Sequence, residues 1–296
     1  MQLRPYRSPA LWWSRAVPPY PVRIDRNDPA AAGLVACYVP GCTAGMVDLT
    51  GNGPPLNADN GGYMGLALEG PAYVSEVIVA SAYTSGFPDA WQIGTSGTLF
   101  WRGILYTIPN SGAVVDLLIW GGITDSVSLS PTYCYGLTFD PTTATLKFSY
   151  SNSVTSNEVV STIHSYNLVY QSVSLAASFT VGGAIALYAF SNAGATTTPI
   201  RPLVTRTTGT WSGSAPGYAQ SPIMCLGVAP AVSQTDVVYT RTTSAYLFDR
   251  VLTEAQLVQL NADPFSFLEP VAPLLRNAPA PEVTGYRRWN RTYLIR

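Results

Sequence analysis

Charge is scarce in this chain. Only 11% of its 296 residues are Asp, Glu, Lys or Arg, with a single lysine, Lys147, and a single histidine, His164. So little charge beside 47% hydrophobic residues excludes a disordered chain, which needs low hydrophobicity and high net charge. No apolar run reaches the ~18 residues that span a bilayer, so no membrane partner is expected. The N-terminus, Met1-Gln-Leu-Arg-Pro-Tyr-Arg-Ser-Pro9, has no apolar core of a secretory signal. The four cysteines, Cys37, Cys42, Cys134 and Cys225, show no Cys-x-x-Cys spacing. With one histidine to help them, a zinc site is not expected, and the thiols read as buried and free, as in a reducing compartment.

Missing too are the patterns that carry common chemistry. The middle of the chain has four glutamates (69, 76, 158, 254), none with a carboxylate two residues on. The paired carboxylates of a glycoside hydrolase are therefore not found. No glycine-rich loop leads into a lysine, so no phosphate cradle is expected. His164 sits in Thr162-Ile-His-Ser-Tyr166, which reads as a strand with a hydrogen-bonded histidine rather than a general base. The expectation is a non-enzymatic protein.

The charge that is present is unevenly placed. Residues 1–26 hold five arginines against Asp25, and residues 264–296 hold five against Glu269 and Glu282. The ends are thus at +4 and +3 and the middle at −8. Basic ends on an acidic body point to docking on neighbours, including copies of the same chain. The acidic body argues against nucleic acid. Both ends are also rich in proline: Pro5, Pro9, Pro18, Pro19, Pro21 and Pro29 at one, Pro264, Pro270, Pro273, Pro279 and Pro281 at the other. That density forbids long helices and favours extended arms. Loose tails do not usually carry paired tryptophans, so Trp12, Trp13, Arg15 and Arg23 are candidate partner contacts. So are Arg287, Arg288, Trp289, Arg291 and Tyr293 in the other arm, where apolar and polar residues alternate as in an added strand. The predicted division is an N-terminal arm 1–29, a body 30–264 and a C-terminal arm 265–296.

The body alternates short β-rich runs with turn clusters. Strands are predicted at Leu34–Val39, Tyr73–Ala80, Gly97–Ile108, Ala113–Trp120, Tyr133–Phe139, Thr145–Tyr150, Val159–Tyr166, Gln171–Thr180, Ala184–Phe190 and Val237–Phe248. Gly182-Gly183 makes a hairpin of the runs on either side. One helix is expected. Thr253 has N-cap character, Gln256 stands at capping-box spacing, Leu252 and Leu257 flank the cap as a staple, and Asp263-Pro264 ends it.

Two stretches bracket the body. Gly33-Leu-Val35 leads to Asp48-Leu-Thr-Gly-Asn-Gly53, and Leu247-Phe-Asp-Arg-Val-Leu-Thr-Glu-Ala-Gln-Leu257 closes it. Together they resemble the opening and closing segments of concanavalin A-like, laminin G-like jelly rolls. Asp28-Pro-Ala-Ala-Ala-Gly-Leu-Val35 looks most like bacteriophage-encoded members of that group. The resemblance implies an all-β, two-sheet antiparallel jelly-roll sandwich with one short C-terminal helix and extended terminal arms. It further implies a phage virion protein, assembled in the host cytoplasm, that decorates the capsid or sits on the tail among other virion proteins. The alternative is an adhesin for host surface glycans. Trp211, between Thr-Gly-Thr and Ser-Gly-Ser, reads as a loop tryptophan and the best glycan contact. Laminin G-like domains often hold Ca²⁺ at the rim, but Asp116, Asp125 and Asp140 are isolated, with no Asp-x-Asp. No cofactor is expected, with Ca²⁺ the one ion the resemblance leaves open.

Overall fold

The computed structural model describes residues 21–40, 42, 46–53, 55, 57–59, 63–67, 70–75, 81–85, 95–106, 115–122, 133–140, 145–152, 156–162, 172–191, 203–211, 222–227 and 239–271. Its strands are β1 Val22–Ile24, β2 Leu34–Tyr38, β3 Asn57–Asp59, β4 Tyr63–Ala67, β5 Gly70–Ser75, β6 Ser81–Ser85, β7 Ser96–Tyr106, β8 Val115–Gly122 and β9 Tyr133–Asp140. β10 Thr145–Asn152, β11 Ser156–Thr162, β12 Ser172–Thr180, β13 Ala184–Ser191, β14 Leu203–Thr210, β15 Pro222–Gly227, β16 Tyr239–Phe248 and β17 Leu268–Pro270 follow. A 3-10 turn spans Pro29–Ala31 and one α-helix, α1, spans Glu254–Ala262.

Two antiparallel sheets make the body. One has seven strands in the order β11-β10-β9-β8-β15-β6-β3. The other has eight: β14-β13-β12-β7-β16-β5-β4, with β2 also on β16. β16 is the spine of the second sheet. It pairs with β7 along one edge, and with β5 (at 240–242) and then β2 (at 245–248) along the other. The expected strand from 237 to 248 carried aromatics on one face, Tyr246 and Phe248. The structure buries both faces, because Leu247 turns inward while Tyr246 and Phe248 lie under a further layer.

Between the sheets Phe148 of β10 stacks on Phe179 of β12 at 5.3 Å, and Trp211 leans on both rings at 6.4 and 5.6 Å. Leu99, Trp101, Leu175, Leu187 and Leu247 are buried with them. Trp101 donates from its indole Nε1 to Thr242 Oγ1 (3.0 Å), which satisfies its one polar atom inside the core.

The outer face of the eight-stranded sheet is the second core. Phe100, Ala176, Tyr188, Phe190, Tyr246 and Phe248 point outward and are covered by Leu252, Leu257 and Leu260 of the helix region. The helix begins as its sequence prescribes. Thr253 Oγ1 accepts from Gln256 N, and Gln256 Oε1 accepts from Thr253 N, closing the capping box. The turn before it is pinned to the sheet. Thr98 Oγ1 donates to Arg250 O (2.8 Å) and accepts from Leu252 N (2.9 Å), while Ser178 Oγ donates to Leu252 O (3.1 Å). At the far end Arg102, buried beneath the helix, donates from one Nη1 to Ser174 Oγ, Asn261 O and Asn261 Oδ1. The last turn of the helix has no basic residue of its own, so a neighbouring strand brings a cation to the negative end of its dipole.

Both chain ends help to close this layer. β1 pairs with β17 in the register Val22↔Pro270, Arg23↔Glu269, Ile24↔Leu268. Val22, Ile24, Phe265, Phe267 and Leu268 are buried in the outer core. The arm boundaries drawn from composition, 29/30 and 264/265, therefore fall inside packed structure. Proline density was read there as extended chain, and the chain is extended, but it is laid on the body by its apolar residues. Tyr246 shows how tightly: its hydroxyl donates to Pro264 O (2.8 Å), and its ring meets Phe267 edge-on at 5.3 Å.

Candidate functional site

Three features could carry a function: the ribbon where the chain ends meet, the Asp48 loop, and a cleft beside the helix. The ribbon is continued by a hydrogen bond from Val271 N to Pro21 O (3.0 Å). Residues 1–20 and 272–296 are therefore attached at one place. The stretches 1–21 and 271–296 hold eight of the sixteen basic residues and one of the seventeen acidic ones, leaving +7 on the ends and −8 on residues 22–270.

Of the proposed arm contacts, Arg23 is described. It pairs across the ribbon with Glu269 Oε1 at 2.7 Å, and two thirds of its side chain stays exposed. Such an exposed pair fixes register more than it stabilises. Trp12, Trp13, Arg15, Arg287, Arg288, Trp289, Arg291 and Tyr293 lie outside the described residues, as does His164.

Trp211 is placed otherwise than expected. It does follow the end of β14, as its turn-rich neighbours imply, and its backbone N donates to Gly183 O (2.7 Å). Its indole, however, is 1% exposed and wedged against Phe148 and Phe179. The Gly182-Gly183 turn draws the chain inward there, so the ring seals one end of the sandwich and offers no surface to a glycan.

The Asp48-Leu-Thr-Gly-Asn-Gly53 loop, part of the opening resemblance, has a structural task. Asp48 is 2% exposed. Its Oδ1 accepts from Cys37 N (2.9 Å) and Thr50 N (3.0 Å), and its Oδ2 from Thr50 Oγ1 (2.5 Å) and Gly53 N (3.0 Å). Asn52 Nδ2 donates to Val35 O (3.0 Å), and Arg26 from outside donates to Thr50 O (2.9 Å). Gly51 supplies a φ of +73°, open to glycine at little cost. Four donors occupy the carboxylate, so the loop is a clasp on the edge of β2. Among the described residues no three of His, Cys, Asp or Glu come together as metal ligands.

Beneath the clasp lie two cysteines that form no disulfide, Cys37 and Cys42, both buried. Burial pushes Cys42 up to about 12. Burial, then the Asp48 charge, raises Cys37 well above its ordinary value. Burial thus favours the protonated thiol at both positions.

The cleft beside the helix is a concave site that the sequence did not reveal. It has about 170 Å³ of space between the 3-10 turn and the flank of the helix, lined by Asp28, Arg250, Leu252, Gln256, Gln259 and Leu260 together with Pro29 and Ala30. Asp28 caps the turn through Ala30 N (2.8 Å). The Arg250 guanidinium ties the turn to β16, donating to Ala32 O (2.7 Å) and Pro29 O (3.2 Å). Gly33, with φ +73°, lets the strands approach: a Cβ there would stand 2.5 Å from Asp249 Oδ1. Asp28, Gly33 and Arg250 all sit in the segments quoted for the resemblance. Their convergence needs the fold, because Gly33 and Arg250 are 217 positions apart in the sequence.

No family model matches the sequence, and no curated protein matches it either. Solved structures do. The chain is similar to the binding domain of botulinum neurotoxin DC in complex with SialylT, with a TM-score of 0.56 at 8% identity over 78% of this chain and 51% of that one. It is similar to the botulinum neurotoxin serotype C1 binding domain, with a TM-score of 0.55 at 10% identity over 77% and 51%. The binding domain of Paraclostridial Mosquitocidal Protein 1 gives 0.53 at 11% over 79% and 52%. The chain spans about half the length of these structures. At such identities the likeness is one of fold, an antiparallel jelly-roll β-sandwich, and it is to that architecture that the chain belongs.

Proposed function

We propose that this chain is a non-enzymatic binding module of a bacteriophage particle, a capsid-decorating or tail-associated subunit held by its two basic terminal segments. One observation carries the reading: the paired ribbon β1–β17 brings Pro21 and Val271 side by side, and the sequence beyond them carries +7 against −8 on residues 22–270. Two segments anchored side by side act as one bipartite grip, and opposite charges on body and ends favour a neighbouring copy or another virion protein. The phage assignment rests on the resemblance of Asp28–Val35. Replacing Arg287, Arg288 and Arg291 together by Gln in the full chain tests it. The melting temperature should be unchanged, while oligomers or incorporation into particles weaken and become less sensitive to salt. A full-length protein that is monomeric at all salt concentrations and absent from particles refutes it.

A second reading, an adhesin for host surface glycans, is favoured by the fold shared with toxin binding domains, one of them solved with SialylT. Binding of the full chain to a glycan array, unaffected by the three Arg→Gln changes, would support that reading over the first.

A further inference from the structure

The geometry points to the cleft between the Pro29–Ala31 turn and helix α1 as a binding site for a single neutral sugar ring. This rests on the glycan-binding reading and gives it a location.

The argument is one of size and donor chemistry. A cavity of about 150 Å³ accepts a six-membered ring such as benzene, and the space here is about 170 Å³. Its polar lining is one carboxylate (Asp28), one guanidinium (Arg250) and two carboxamides (Gln256 and Gln259). The two charges cancel, so neither a simple anion nor a simple cation is favoured. Sugar hydroxyls each donate and accept, and they match a set in which amides do both, a carboxylate accepts and a guanidinium donates. Leu252 and Leu260 supply an apolar wall for the C–H face of a ring. The site is also held open. Arg250 is fixed by two backbone carbonyls, Asp28 by the N–H of Ala30, and Gln256 by the capping box through its Oε1. With no aromatic platform in the lining, binding is weak, with a Kd on the order of 1 mM.

The test uses the full chain and methyl pyranosides of glucose, galactose, mannose, rhamnose and N-acetylglucosamine, read by saturation-transfer NMR and titration to about 20 mM. At least one should bind. Gln259→Ala and Asp28→Asn should each weaken it at least tenfold with unchanged melting curves, since Asn keeps an oxygen to cap the turn. Arg206→Gln, which touches the helix only through an exposed pair with Glu254 (3.5 Å), outside the cleft lining, should leave it unchanged. Binding that survives both cleft changes overturns this site while leaving the glycan reading standing. No binding by any of the five overturns the site too. The glycan reading then falls only if larger glycans on an array also fail to bind.

Discussion

Removing the carboxylate of Asp48 is the sharpest test of how this fold is held. In Asp48→Ala four donors lose their acceptor. They are not equal. Cys37 is fully buried, and its N–H is left without water or partner. A hydrogen bond to a charged acceptor contributes about 1.5–3 kcal/mol, and orphaning a buried donor costs the upper part of that range. The donors of Thr50 and Gly53 are half-buried, water reaches them, and each loss costs about 0.5–1 kcal/mol. The Thr50 hydroxyl can turn to Val35 O, which lies 3.1 Å away. The expected loss is about 3–5 kcal/mol, a large part of the ~5–15 kcal/mol that holds a typical domain together. Asp48→Asn keeps one oxygen for Cys37 N and Thr50 N but sets an amide N–H against Gly53 N, so it should cost only about 1–2 kcal/mol. Urea unfolding followed by tryptophan fluorescence gives both values. The reasoning fails if Asn costs as much as Ala, or if Ala costs under about 0.5 kcal/mol. It fails equally if millimolar Ca²⁺ raises the wild-type midpoint and Asp48→Asn abolishes that rise, because the carboxylate would then serve a metal rather than the backbone.

Trp211→Ala should lower stability by about 3–5 kcal/mol by emptying the space against Phe148 and Phe179, while any sugar binding at the cleft persists at temperatures where the variant is folded; loss of binding alone, with no loss of stability, would return Trp211 to the surface. Burial raises the carboxyl of Asp263 above its ordinary 3.8, against a lowering by a hydrogen bond from the Phe265 backbone, and the charge of Asp28 adds to the rise. The folded state thus binds that proton more tightly than the unfolded chain. Its contribution to stability is full below pH 3.8 and is lost as pH rises through the folded value. Asp263→Asn should therefore raise the melting temperature at pH 7 and change it little at pH 3, and a fall at pH 7 would contradict the sign. Iodoacetamide at pH 8 should leave Cys37 and Cys42 unmodified in the native protein and alkylate both in urea, as peptide mass spectrometry can show; modification of either thiol without unfolding would refute their burial.

The parts of the fold legible in the sequence are those fixed by local rules. The capping box at Thr253 and Gln256 needs only four residues, and the hairpin across Gly182-Gly183 needs only a turn and two β-rich flanks. Both stand where expected. The strands expected over 145–150, 171–180 and 184–190 likewise agree to within two residues. β1, β3 and β17 were not expected, because three residues carry no periodicity, and their pairing is made by partners far away in sequence. β14 was missed for another reason: Leu-Val-Thr-Arg-Thr-Thr-Gly-Thr is polar and contains a glycine, and it is an edge strand held by β13. The Trp211 error has the same root. Turn residues report where the chain bends, not whether a side chain beyond the bend faces water or the interior. The cleft was invisible because its lining is brought together from two ends of the chain by the Arg250 tie.

That tie and the ribbon lead to a further consequence for how the module is built. The outer core is finished only when residues 265–270 return to cover Tyr246 and to pair with β1. Phe265, Phe267 and Leu268 are each almost fully buried, and burying a large apolar side chain contributes about 1.5–3 kcal/mol. Together they carry about 4.5–9 kcal/mol, comparable to the whole stability of a domain. A chain cut at 264 thus loses much more than an arm, and a chain cut at 271 keeps the ribbon whole. On the proposed reading, the grip and the structural closure are consecutive stretches of the same segment, with the changeover at Pro270-Val271. Because the basic segments continue from Pro21 and Val271, their points of attachment are brought side by side only in a chain that has finished folding. An unfinished body would present its two basic ends separately, which weakens any bipartite contact by the loss of effective concentration.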